Sequence, residues 1–334
     1  MRVVCLAFLI TVSVTFLHTE EEKLNPEERA AVNKFYRLKL KEAELSLKKG
    51  DFTTAKSILQ AMAVLGTDDL KLRAQIKELE SLAVKEEVRA KVVDARLVVE
   101  KPVFSGVKEV RVFVRLINRS DETVSIFHRK EKGRAEMNAG CLSVLCVTYG
   151  ANGTISSSEH SNLRFTKTEQ VTLRKGEMWE KELSLEVPTL EEEEMVTYVY
   201  TLRGFVILEV LCGSEDVYAL TLDLGRLSFK LVPKGAERYA EMPLDALVSA
   251  VKKAASKPSE SEAKDIIRTI FFAPFFLEDV QKAAALPVLI TWLPQLQEKY
   301  ANAVTATLSY LTNLPFGRDR NRWVEWWKDA AKTR

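Results

Sequence analysis

The side chains that most often carry chemistry are sparse in this 334-residue chain, and their spacing supports little chemistry. There are three histidines, at 18, 128 and 160. His128 lies in "IFHRKEKG" and His160 in "SSEHSN", both polar stretches that read as exposed loops. Neither has a second His or Cys at the separation that zinc ligation requires. The run "GTISSSEHS" offers a Ser-x-x-x-His pair. A nucleophilic serine also needs a base oriented by a buried acid and a donor pocket for the oxyanion, and nothing in the sequence specifies them. Neither the phosphate loop G-x-x-x-x-G-K-[ST] nor a dinucleotide loop G-x-G-x-x-G is present. Paired carboxylates for glycoside hydrolysis are defined by distance in space, so chain spacing does not decide them. The expectation is a non-catalytic protein with no cofactor and no metal.

Four cysteines occur, at 5, 141, 146 and 212. Cys141 and Cys146 stand five apart in the strand-like run "CLSVLCVTYG". An odd separation puts them on opposite faces of one strand, so they do not pair with each other. Cys212 can pair with either; the other reading is three buried thiols behaving as small apolar residues. Asn118 in "NRS" and Asn152 in "NGT" match the glycosylation acceptor pattern.

Charged residues make up 29% and nearly balance, for a formal net charge of +2. Nucleic acid calls for a concentrated basic face, so it is not an expected partner. The acidic run Glu191 to Glu194 reads as a solvated loop. The first residues, "MRVVCLAFLITVSVTFLHTEEE", join a basic Arg2 to an apolar stretch from Val3 to Leu17 and then an acidic segment. That is the form of a secretory signal peptide, assigned to 1–19, with Thr19 as the candidate cleavage position. Fifteen helical residues rise only about 22 Å, short of the ~30 Å hydrocarbon core. The expectation is therefore a periplasmic or extracellular protein with no stable membrane span after signal removal.

Residues 20–93 read as helices. Pro26 before "EERAAV" suits a first turn, with Phe35, Leu38, Ala43 and Leu47 following at roughly helical spacing. Gly50 ends that helix, Asp51 caps the next, Gly66 closes it, and Thr67 caps a third. Gly50, Asp51, Phe52 and Ala55, followed by Ile58 and Leu59, resemble the turn and second helix of a tetratricopeptide-type hairpin. The resemblance implies a tight turn at Gly50, Phe52 packed between helices and close approach at Ala55. It covers one repeat, so the segment is expected as a helical hairpin plus one helix.

From 94 to 235 the apolar period changes to two. Val110, Val112, Val114 and Leu116 alternate in "VKEVRVFVRLI", and further alternating runs follow between turn residues such as "NGT" at 152–154 and "KG" at 175–176. The run "VRVFVRLINRSDETVSI" resembles the early strands of an immunoglobulin-like β-sandwich, which implies an all-β sandwich here.

From 236 to 334 the helical period returns. Ser259 and Glu262 are placed for a capping box, and Pro274 breaks the helix that contains Ile266, Ile267, Ile270 and Phe271. The chain closes with "LPFGRDRNRWVEWWKDAAK". Gly317, Asp319, Trp323, Trp326 and Trp327 resemble the closing Gly-x-Asp turn and W-x-x-W-W helix of HEAT-like repeat regions in secreted bacterial proteins. That resemblance implies a helical stacking domain. The three tryptophans stand at i, i+3 and i+4, on one face of a helix, and are expected to seal the stack against a stripe at Val304, Leu308 and Leu311.

The whole reads as a multidomain α+β chain: signal, helical hairpin, β-sandwich and HEAT-like domain. Its expected role is an exported scaffold or adaptor that binds another protein of the cell envelope. A carbohydrate- or small-ligand-binding protein is the alternative.

Overall fold

The computed structural model describes residues 26–67, 69–127, 140–165, 170–212 and 216–332. The signal segment, with Cys5 and His18, lies outside them, as does His128. The chain is mixed α+β, with helices at both ends and strands between. It divides into two compact units after Ala90.

The first unit holds α1 (Pro26–Lys48), α2 (Phe52–Leu65) and α3 (Leu70–Lys91), the last residue of α3 lying past the division. Pro26 occupies the first helical position, where its missing N–H costs nothing. Gly50 turns the chain at φ 73°, and the Asp51 carboxylate accepts the Thr54 N–H at 3.1 Å to start α2. Tyr36, Leu40 and Ala43 of α1 meet Leu59 and Met62 of α2 and Leu72, Ile76 and Ala83 of α3 in one core. The Tyr36 hydroxyl donates to the Gly66 carbonyl.

Two expectations change here. Phe35 and Leu38 are 45% and 59% exposed and do not join Ala43 and Leu47 on the packed face. The inward stripe is Tyr36, Leu40, Ala43 and Leu47, at i, i+4, i+7 and i+11, and the other two residues point the opposite way. The cap of α3 is Asp69, not Thr67. Its carboxylate accepts the Lys71 and Leu72 N–H groups at 2.9 and 3.3 Å, while the Thr67 hydroxyl accepts the Asp69 N–H. A cap must sit one residue before the helix, and only Asp69 does.

The second unit begins with strands. They are β1 (Val93–Val99), β2 (Val103–Ser105), β3 (Glu109–Asn118), β4 (Val124–Phe127), β5 (Gly140–Gly150), β6 (Ile155–Phe165), β7 (Val171–Leu173), β8 (Met178–Glu186), β9 (Val196–Cys212) and β10 (Asp216–Val232). A three-stranded antiparallel sheet has the order β1-β3-β8. Val110, Val112, Val114 and Leu116 of β3 are all fully buried, and on the opposite side Arg111 and Arg115 pair with Glu182 and Glu180 of β8.

The larger sheet runs β2-β10-β9-β4-β7, with β5 also on β9 and β6 outside β5. Among the described strand pairs only β2–β10 is parallel. β9 pairs β10 along one edge and, on the other, β5 from Val196 to Val206 and then β4 from Glu209 to Cys212. Gly204 permits the β5–β9 approach: a Cβ there would lie 2.3 Å from the Cys141 carbonyl oxygen and from Leu142 Cδ2. The segment "ISSSEHSNLRF" is strand β6 and not the loop its polarity suggests. Its ladder with β5 supplies the backbone bonds, so it needs no apolar face of its own.

After β10 come a 3-10 turn (236–240), α4 (Pro243–Ala255), α5 (Glu260–Phe272), a second 3-10 turn (273–276), α6 (Asp279–Trp292), α7 (Glu298–Thr312) and α8 (Arg320–Lys332). The Ser259–Glu262 capping box forms at the start of α5, and Pro274 follows its end. The division expected near 235 does not separate compact units. Tyr149 and Val232 from the strands, and Ala151 from the turn after β5, lie in one hydrophobic core with Leu247, Ile270, Phe271, Leu289 and Val304 from the helices. Burying the ends of β5 and β10 requires the helices, so strands and helices form one body.

Candidate functional site

The closing motif is built from a turn and a helix. Gly317 takes φ 55°, and the Asp319 N–H donates to the Phe316 carbonyl at 3.2 Å. The Asp319 carboxylate then accepts the Arg322 N–H at 3.1 Å, which caps α8. Trp323 is 0% exposed. Its indole N–H donates to the Gly317 carbonyl at 3.0 Å, so the buried ring has its one polar atom satisfied. It meets Phe316 and Trp326 edge to face, with centroids 4.8 and 5.9 Å apart. Trp326 and Trp327 are half-buried at the margin of the same core, whose facing residues Val304 and Leu308 are fully buried and Leu311 half-buried. The stripe therefore buries one ring completely and two in part.

Beside this helix lies an open polar cleft of about 620 Å³ lined by Glu298, Asn302, Arg318, Asp319, Arg320 and Asn321. Arg320 is fixed by donation to the Leu296 carbonyl at 2.9 Å. Arg318 packs over the 150–153 turn, where a Cβ on Gly153 would stand 2.8 Å from its Cγ. The lining offers carboxylate, amide and guanidinium groups to a polar ligand. Of these six residues only Asp319 carries a signal in the sequence, as the cap of α8; Glu298 and Asn302 are brought to residues 318–321 by the packing of α7 alone.

Among the described residues, exposed apolar side chains include one set on α1 and one on the larger sheet. On α1 they are Phe35, Leu38 and Leu45; on the larger sheet they are Leu145 of β5 with Phe205 and Ile207 of β9. Cys141 shares the Phe205 side of that sheet at half-burial. Cys146 is buried on the other side, and both thiols are free. Burial raises the Cys146 thiol above its ordinary value, against the hydrogen bonds from Tyr200 and Thr148. The Cys212 side chain lies outside the described residues. His160 stands opposite Val144 in the β5–β6 ladder, and its side chain is likewise outside them. Among the described residues, no group of three or more His, Cys, Asp or Glu is arranged to hold a metal ion.

Of the hairpin residues, Ala55 is fully buried and Phe52 half-buried. Gly50, Phe52 and Ala55 belong to the first unit and the tryptophans to the second. The two acceptor sequences differ in environment. Asn118 is fully buried, and its amide donates to the Glu122 and Leu173 carbonyls at 2.7 and 2.9 Å. Asn152 is exposed, and its side-chain oxygen accepts the Thr154 N–H and hydroxyl.

No family model matches the chain, and no curated protein does. Among solved structures it is similar to the sporulation control protein Spo0M of Bacillus subtilis, at 11% identity and TM-score 0.23, over 48% of this chain and 55% of that one. It is also similar to the alkylpurine DNA glycosylase AlkC of Pseudomonas fluorescens, at 12% identity and TM-score 0.18, over 63% of this chain and 48% of that one. The chain thus spans about half the length of each. Likenesses this slight carry no argument about fold or activity.

Proposed function

We propose that this chain is an exported, non-catalytic scaffold or adaptor that binds another protein of the cell envelope. In this reading the two sheets form an immunoglobulin-like β-sandwich, the first unit a tetratricopeptide-like hairpin and the C-terminal helices a HEAT-like stack. The observation that supports it is the second apolar stripe on α1. Phe35, Leu38 and Leu45 recur at heptad-like spacing and face away from the core. An amphipathic helix with a second apolar face is suited to receive a partner helix. Lys34, Lys41 and Lys48 follow one another along one flank of that stripe, which favours an acidic partner. The test is in-cell crosslinking in the native host, comparing wild type with a Phe35→Asp, Leu38→Asp double variant. The variant should keep its helical circular dichroism and lose the crosslinked envelope partner. Unchanged partners would remove the stripe from the reading, and a mature protein found in the cytosol with Met1 intact would remove the compartment.

The polar cleft beside α8 favours the second reading, a carbohydrate- or small-ligand-binding protein. Its mixture of carboxylate, amide and guanidinium groups suits a polyhydroxylated ligand. Binding on a glycan array that is lost in an Asn302→Ala variant would put this reading first.

A further inference from the structure

Granting the adaptor role proposed above, we infer that the outer face of α1 takes one kind of partner: an amphipathic helix with acidic flanks and a single lysine or arginine opposite Glu42. A second copy of this chain does not fill the place. The face carries a regular seam. Ala31, Phe35, Leu38, Glu42 and Leu45 are all exposed and recur at alternating intervals of four and three residues, the interval of a coiled-coil seam. The packed stripe of Tyr36, Leu40, Ala43 and Leu47 lies on the other side of the helix, so the seam is not used to hold the first unit together. From Ala31 to Leu45 it rises about 21 Å, the length of two heptads.

The borders of the seam carry one sign of charge. Lys34, Lys41 and Lys48 follow one border at intervals of seven, and all three are exposed. Lys39, next to Leu38, stands on the other border and pairs with Glu42 at 2.7 Å. Residues at these positions meet across a helix pair. In an antiparallel pair of identical chains the Lys34 border would face itself. In a parallel pair it would face the Lys39 border. Either arrangement sets lysine against lysine, and like charges at that separation repel. A helix with glutamate or aspartate at its borders turns each of these contacts attractive.

Glu42 separates a helix from a lipid surface, which also receives apolar faces bordered by lysine. Its carboxylate stands on the seam between Leu38 and Leu45, with the side chain 54% exposed. Insertion into a bilayer would carry that charge toward hydrocarbon. A partner helix answers it with one cation, and a polar residue on a seam fixes the register of the pair. The Lys39–Glu42 pair is at the surface, so replacing Lys39 by a cation of the partner costs little.

The test uses the intact protein and two labelled four-heptad peptides. Both have leucine along the seam with one central lysine there; one has glutamate at its borders, the other lysine. Fluorescence anisotropy gives a Kd for each. The acidic peptide should bind about tenfold or more tighter than the basic one at low salt, because the border contacts change sign. A Lys34→Glu, Lys41→Glu, Lys48→Glu variant, altered only at exposed positions, should reverse the preference. Exchanging the central lysine of the acidic peptide for glutamate should weaken it about threefold or more. Equal binding of the acidic and basic peptides, or binding of neither, would overturn the inference. So would a dimer in analytical ultracentrifugation, or binding to phosphatidylglycerol vesicles, that is lost in the Phe35→Asp, Leu38→Asp variant. Each of these results leaves the adaptor role to its crosslinking test, which does not depend on the charge of the partner.

Discussion

Trp323 concentrates the stability of the C-terminal end in one side chain. Its ring is fully buried and its indole N–H is bonded to Gly317, so truncation removes packing and leaves a carbonyl unpaired. Trp323→Ala should cost about 3–5 kcal/mol in urea unfolding. The same change at half-buried Trp326 should cost about 1–2 kcal/mol. Equal losses at the two positions would contradict the geometry. Lys230 gives a second expectation, in pH. Its folded value of about 8 lies below the unfolded value near 10.5. The unfolded chain therefore binds more protons between these values, and stability rises with pH across that window. Above about pH 10 the phenols of Tyr149 and Tyr310, raised by burial, oppose it. Wild type should gain stability relative to Lys230→Met between pH 8 and 10, measured by urea unfolding at each pH. A constant difference across that range would show that the amine titrates normally.

At the scale of elements, β9 organises the larger sheet, and Gly204 is where it is most constrained. A methyl group there would enter the Cys141 carbonyl and the Leu142 side chain. Gly204→Ala should destabilise by about 1–3 kcal/mol, and amide exchange should rise first along β5 and β9. Exchange that rises uniformly, or first in α4 to α8, would place the strain elsewhere. The strands were legible where alternation was strong: the β3 run of Val110, Val112, Val114 and Leu116 is fully inward. β6 was not, because an outer strand of serines carries no periodicity and is held by its neighbour's backbone. The α5 capping box was legible because it is local. On α1 two apolar stripes compete, and only the positions of α2 and α3 decide which one faces inward. Apart from Asp319, the cleft residues had no signal, since their proximity is created by the packing of α7 against the turn before α8.

At the scale of the molecule, the second unit is one cooperative body. Tyr149 and Val232 of the strands and Ile270 and Val304 of the helices share a core. A fragment of 91–334 should therefore unfold in a single calorimetric transition. A fragment of 94–235 should show no cooperative transition, having lost the helices that cover β5 and β10. A stable, cooperatively folding 94–235 would restore a boundary at 235. The position of β9 has a consequence for how the chain is made. β4 with β7, and β5 with β6, are two separate two-stranded ribbons, and both join the sheet only through the strand at 196–212. Isolated two-stranded ribbons are marginal in water. On the ribosome, residues 124–195 therefore emerge before the strand that unites them, with the apolar faces of Leu142, Val144 and Ile126 uncovered. The nascent chain needs either a fast passage through that interval or a chaperone to hold it.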